Sequence, residues 1–151
     1  MELPSTVLDV LEAECERARL ALGVALAAIS VWEREDGVLR TIINVGELGG
    51  AEARPADEIY PVHSFPALVT LLDGRTPYCF GHGDRVDVAS ASLVASLGMD
   101  TQAAAPINLR GEVWGSLWIA TTPGARPLSS GDLPQVVRAA NAIARALEPL
   151  I

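Results

Sequence analysis

The chain has 151 residues, half of them hydrophobic and a fifth charged, with 13 Gly and 10 Pro. At roughly 150 residues per domain this predicts one folding unit, large enough to bury a core without disulfides or a structural metal. The formal charge of -8 would repel a phosphate backbone, so nucleic-acid binding is disfavoured. All basic side chains are Arg and none is Lys, which removes Schiff-base chemistry and the phosphate-loop lysine.

Two cysteines, Cys15 and Cys79, make no disulfide framework and point to a reducing compartment. No signal segment or apolar run of membrane-spanning length is present, so the expectation is a cytoplasmic chain without membrane attachment.

In chain order, residues 5–22 predict a helix capped by Ser5 or Thr6 and stopped by Gly23. Leu8, Leu11, Cys15, Ala18 and Leu22 fall on one stripe at three-four spacing. Residues 25–34 and 38–46, around Glu35-Asp36-Gly37, predict a hairpin. Its first run is apolar at almost every position, so both faces of that strand are expected to be covered. Residues 47–62 read as a loop with a short strand near 59–62. Ser64 is placed as the cap of a short helix through Leu72, residues 76–80 form a short strand, and Asp87 caps a helix that Gly98 ends. A second hairpin follows, 101–110 and 112–122, joined at Gly111. Ser129 and Asp132 open the last helix, with Leu133, Val136, Ala140, Ile143, Leu147 and Leu150 as its stripe.

The stretches LAAISVWER, DGRTPYCF, LGMDTQAAAPINLRGEVWGSLWIAT and LSSGDLPQVVRAANAIARALE, in this order of elements, resemble a GAF domain from about Leu8 to Leu147. The resemblance implies an α+β fold over residues 1–151: an antiparallel sheet with the N- and C-terminal helices on one face, and short helices and loops forming a ligand pocket on the other. It also implies a sensory or regulatory role, a small-molecule ligand, a homodimer through the terminal helices and an output domain in a larger signalling protein. The expectation is then either a standalone regulator or a fragment of such a protein, and the ending at EPLI, inside an apolar helical stripe, favours the fragment.

Within that frame the expected ligand-binding residues are Trp32, Tyr60, His63, Phe65, Tyr78, Cys79, His82, Ala104 and Trp118. No catalytic residue and no metal ligand set is assigned. Cys79, His82, Asp84 and His63 are weighed as a zinc or iron set, but Gly81 and Gly83 loosen that segment. His63 is the candidate axial ligand if a haem is bound. The cyclic-nucleotide subfamily needs a Lys that is absent, and a covalent bilin needs a Cys followed by His, whereas Glu16 follows Cys15 and Phe80 follows Cys79. A methionine sulfoxide reductase of this fold needs a resolving thiol near Cys79, and the middle segment has none. The main alternative is a pocketless module whose cavity is filled by Trp and Phe and which serves only dimerisation, and the third is a thiol-dependent methionine sulfoxide reductase acting through Cys79. The ligand's identity is left open.

Overall fold

The computed structural model describes residues 2–151. Its helices are α1 (Ser5–Leu22), α2 (Pro66–Leu72), α3 (Val88–Ser96) and α4 (Leu133–Leu147). Its strands are β1 (Leu26–Glu33), β2 (Val38–Gly46), β3 (Glu58–Pro61), β4 (Tyr78–Phe80), β5 (Thr101–Leu109) and β6 (Glu112–Thr121). The six strands form one sheet in the order β3-β2-β1-β6-β5-β4, antiparallel throughout. This is the α+β arrangement expected from the sequence.

β1 is buried at six of its eight positions because it is central in the sheet and covered on both faces. One face carries Ala27, Ile29, Ile43, Val45, Ala103, Ala105, Ile107, Leu117 and Ile119, which pack with Leu11 and Cys15 of α1 and Val136, Ala140, Ile143 and Leu147 of α4. The larger of these side chains, Leu11, Ile29, Ile43, Ile107, Leu117, Ile119, Ile143 and Leu147, are fully buried, each contributing roughly 1.5–3 kcal/mol of transfer free energy. The other face is roofed by α2, α3 and the loops around them. There the apolar packing divides into two smaller groups, one around Leu71, Leu72 and Val62 and one around Leu26, Val94 and Met99.

The two-strand turns follow local chemistry. β5 and β6 are joined by Arg110 and Gly111, both at positive φ (51° and 80°), the geometry that matches the strand twist in a two-residue hairpin. Gly115 of β6 faces β1 so closely that a Cβ there would overlap the Ser30 carbonyl oxygen and lie 3.1 Å from Val31 Cα. Only glycine permits that approach.

Several local expectations shift. α1 begins at Ser5 behind Pro4, with no side-chain cap, so neither Ser5 nor Thr6 caps it; Val7 joins Leu11, Cys15 and Ala18 in the buried stripe, and Leu8 and Leu22 sit at its margin. Ser64 ends a single 3-10 turn, Val62–Ser64, and Phe65 precedes α2, where Pro66 removes the N–H a cap would have satisfied. Asp87 does cap α3, accepting from Ser90 N at 2.9 Å. Ser129 and Asp132 form the expected capping box, although the first turn after it is 3-10. Leu150 lies beyond the buried stripe and is exposed.

Candidate functional site

Strand alternation sends every second side chain away from the terminal helices, toward α2 and α3. From β1 these are Leu26, Ala28 and Ser30, from β5 Gln102 and Ala104, and from β6 Ser116 and Trp118; all line one cavity. Tyr60 of β3, Tyr78 of β4, Phe65, Leu68 and Leu71 of the α2 segment, and Ser90, Leu93 and Leu97 of the α3 segment close it. The cavity holds about 50 Å³ of open space, so it is narrow. That is room for a few waters or a slim apolar group as it stands.

β2 contributes through a bulge. Ile29 pairs with Ile43 but Ser30 pairs with Thr41, leaving Ile42 as an extra residue. Without it Thr41 and Asn44, three apart, would point to opposite faces; with it both line the cavity. Ile42 instead packs at the edge of the helix-side core.

The polar groups of the cavity are tied to one another. Ser30 Oγ and Thr41 Oγ1 are 2.9 Å apart at the floor. Asn44 Nδ2 donates to the Glu52 carbonyl at 2.9 Å and to Glu58 Oε1 at 3.0 Å, and Tyr60 Oη donates to Glu58 Oε2 at 2.8 Å. At the opposite end Trp118 Nε1 donates to Gln102 Oε1 at 3.0 Å, and Ser90 Oγ donates to Asp87 Oδ2 at 2.9 Å. Burial holds the Tyr60 phenol above its ordinary range, with Glu58 adding to the effect. Burial does the same for Tyr78, helped by the charge of Asp87 and opposed by the Trp118 indole N–H. Both phenols therefore remain neutral donors at physiological pH.

Of the nine residues singled out in the sequence, Tyr60, Phe65, Tyr78, Ala104 and Trp118 line the cavity. Ala104 stands in register between Tyr78 and Trp118, so the small residue on β5 is the gap between two rings. Trp32 lies near the hairpin tip, with the Arg34 guanidinium 4.3 Å over its ring. His63 is exposed on its 3-10 turn. Cys79 alternates to the helix side of the sheet, and His82 is exposed in a loop where it meets Asp100. Cys79, His82, Asp84 and His63 form no cluster, and no metal-binding group of three or more such side chains occurs among the described residues. Burial, then Asp84 and Asp132, pushes the Cys79 thiol up to about 11, and burial, then Glu16 and Glu12, pushes Cys15 up to about 12, so neither is an activated nucleophile.

Glu58, Gln102, Ser90, Ser30 and Ser116 are cavity residues that the sequence reading passed over. Period-two counting from Tyr60 and Ala104 reaches Glu58 and Gln102, and from Ala28 it reaches Ser30. Thr41 and Asn44 had no such signal, because the bulge breaks the period.

A sheet of this order, with chain-terminal helices on one face and a lidded cavity on the other, defines an α+β domain that is closed on one side of its sheet and hollow on the other. The GAF domain family model matches residues 6–147, and the chain belongs to that family. Solved structures agree on the fold. The blue-light-absorbing form of the Thermosynechococcus elongatus PixJ GAF domain superposes with a TM-score of 0.76 at 13% identity, covering 97% of this chain and 87% of that one. The GAF-B domain of DevS from Mycobacterium smegmatis gives 0.71 at 18% identity, covering 95% and 94%. The phycoerythrobilin-bound GAF domain of a cyanobacterial phytochrome gives 0.75 at 18% identity, covering 95% and 86%. No curated protein sequence matches the chain. No described helix is long and apolar enough to cross a membrane.

Proposed function

We propose that this GAF domain is a sensory module that takes a small, mainly apolar molecule between the sheet and the α2–α3 lid and passes its presence to α1 and α4. The observation that carries this reading is the contrast between the two faces of one sheet. The helix face is packed by Leu, Ile and Ala side chains, whereas the lid face leaves a cavity lined by apolar walls with a few oriented polar groups. Ala28, Ser30 and Asn44 on the cavity floor alternate with Ala27, Ile29, Ile43 and Val45 beneath the helices, so a guest that presses on the floor acts on residues touching α1 and α4. The signal requires only that the guest prefers one packing of those helices over another.

The ligand-binding set we assign is Tyr60, Phe65, Tyr78, Ala104 and Trp118, joined by Glu58 and Gln102. A tetrapyrrole such as the one in the phytochrome neighbour does not suit this cavity, since it is far larger than the open space and no basic side chain lines the walls among the described residues to receive its carboxylates. The groove between the outer faces of α1 and α4, lined by Ala18, Ala21, Ala139 and Ala142 with Glu14 and Arg138 at its rim, suits a homodimer seam feeding an output domain.

Thermal-shift screening against a metabolite panel tests the reading, with Ala104→Leu as the blocked control. A compound at a hundredfold its Kd stabilises by about 2.7 kcal/mol. At 2–4 °C per kcal/mol for a chain of this size, that raises Tm by roughly 5–10 °C in the native protein and by much less in the variant. No stabilisation by any compound, or stabilisation that survives Ala104→Leu, contradicts the proposal. A chain that binds nothing yet sediments as a dimer would instead be a dimerisation module.

A further inference from the structure

We propose that the guest is a compact apolar amine whose ammonium group docks on Glu58; this rests on the cavity being a ligand site. Glu58 and Thr41 are register partners on the cavity side of β3 and β2, which aims the Glu58 carboxylate at the interior. Its oxygens already accept from Asn44 and Tyr60, at 3.0 and 2.8 Å. Those two donors fix the carboxylate in place. A carboxylate has about four lone-pair sites, so two remain to receive further N–H donors.

Nothing in the cavity neutralises that charge. Among the described residues the lining contains no Arg or His, and Glu58 is its one acidic residue. Arg40, on the neighbouring strand, is engaged elsewhere with Glu33 at 3.1 Å and with Asp57 at 4.0 Å. At the far end the second charge is again negative: Asp87 stands behind Ser90 and accepts from it. Low-dielectric walls with one sign of charge favour a cation and exclude an anion. Tyr60 and Phe65, edge-to-face with centroids 5.8 Å apart, stand beside Glu58 and add ring surface on which an ammonium is also well placed. The remaining walls, among them Leu39, Leu68 and Leu71, call for a small apolar body.

The test uses three probes of nearly equal shape: 2-phenylethylamine, 2-phenylethanol and 3-phenylpropanoate. Each is titrated at pH 7 into nitrogen-15-labelled protein while the amide signals of Glu58, Ala104 and Trp118 are followed. The amine is expected to shift these signals and to bind at least about tenfold more tightly than the alcohol, a factor equal to ~1.4 kcal/mol. The propanoate is expected to leave them unmoved. Glu58→Gln should reduce the amine to the level of the alcohol, while Tyr60→Phe, which keeps the charge, should retain the preference for the amine. Equal binding of amine and alcohol, tighter binding of the propanoate, or a preference that survives Glu58→Gln overturns the inference. In those cases shifts at Ala104 and Trp118 from any probe still leave the cavity as a ligand site. Silence from all three probes, together with a failed thermal-shift screen, removes both.

Discussion

Ala104 and Ala105 are adjacent, fully buried and chemically identical, yet they face opposite sides of β5. Substituting each with Leu adds three carbons to the same strand. On the helix side Ala105 is enclosed by the core that includes Ile107, Leu117 and Ala140, and inserting methylenes into closed packing costs about 1–3 kcal/mol. On the lid side Ala104 borders the cavity between Tyr78 and Trp118, where the new carbons enter unfilled space. There the gain of ~0.8 kcal/mol per buried CH₂, up to ~2.4 kcal/mol, offsets the rearrangement of the two rings. Ala104→Leu should therefore stay within about 1 kcal/mol of the native protein while Ala105→Leu loses about 2 kcal/mol or more. Urea unfolding followed by circular dichroism measures both, with the slope m expected to be unchanged. Equal losses, or a larger loss for Ala104→Leu, would refute the claim that one face is open and the other closed.

Three further outcomes follow from local structure. Gly115→Ala forces a Cβ against the Ser30 carbonyl and must part β6 from β1, so it should cost at least about 3 kcal/mol; a melting temperature near that of the native protein would show the approach is not tight. Burial raises the Asp132 pKa, but the Ser129 backbone N–H and Arg126 outweigh it and hold the net value below its ordinary 3.8. A depressed carboxyl pKa stabilises the fold above the unfolded value and loses that contribution as pH falls through the folded one. Asp132→Ala should accordingly cost about 1 kcal/mol at pH 7 and progressively less below pH ~4, read from urea midpoints across pH. With thiols pushed up to about 12 and about 11, Cys15 and Cys79 should react with Ellman's reagent at pH 7 far more slowly in the folded than in the urea-unfolded chain, and fast native labelling of Cys79 would count against its burial.

Much of the architecture was legible because hydrophobic period and turn chemistry agree along the chain. The Asp36-Gly37 and Gly111 turns, the Asp87 cap and the Ser129–Asp132 box each mark a boundary where the structure has one. The uninterrupted apolar run of β1 announced a strand covered on both faces. What the sequence concealed was direction. Cys79 and Ala104 looked like neighbours at one site, yet Cys79 pairs with Ala103 and shares its helix-side face, while Tyr78 pairs with Ala104. The bulge at Ile42 reverses the facing of every residue after it on β2, and no residue there signals the extra position, since Thr41, Ile42 and Ile43 are all ordinary strand formers. His63 and His82 drew notice as chemistry-bearing side chains, but both stand on exposed turns with no packed element to aim them inward.

Xenon bound in crystals of the protein probes the open face most directly, because the gas enters apolar voids without needing hydrogen bonds. A xenon peak is expected beside Ala104, Leu71 and Trp118, under the α2–α3 lid, and none between α1, α4 and the sheet. A peak among Ile29, Leu117 and Ile143 instead, or a lid side that admits no xenon, would contradict an open lid face beside a closed helix face.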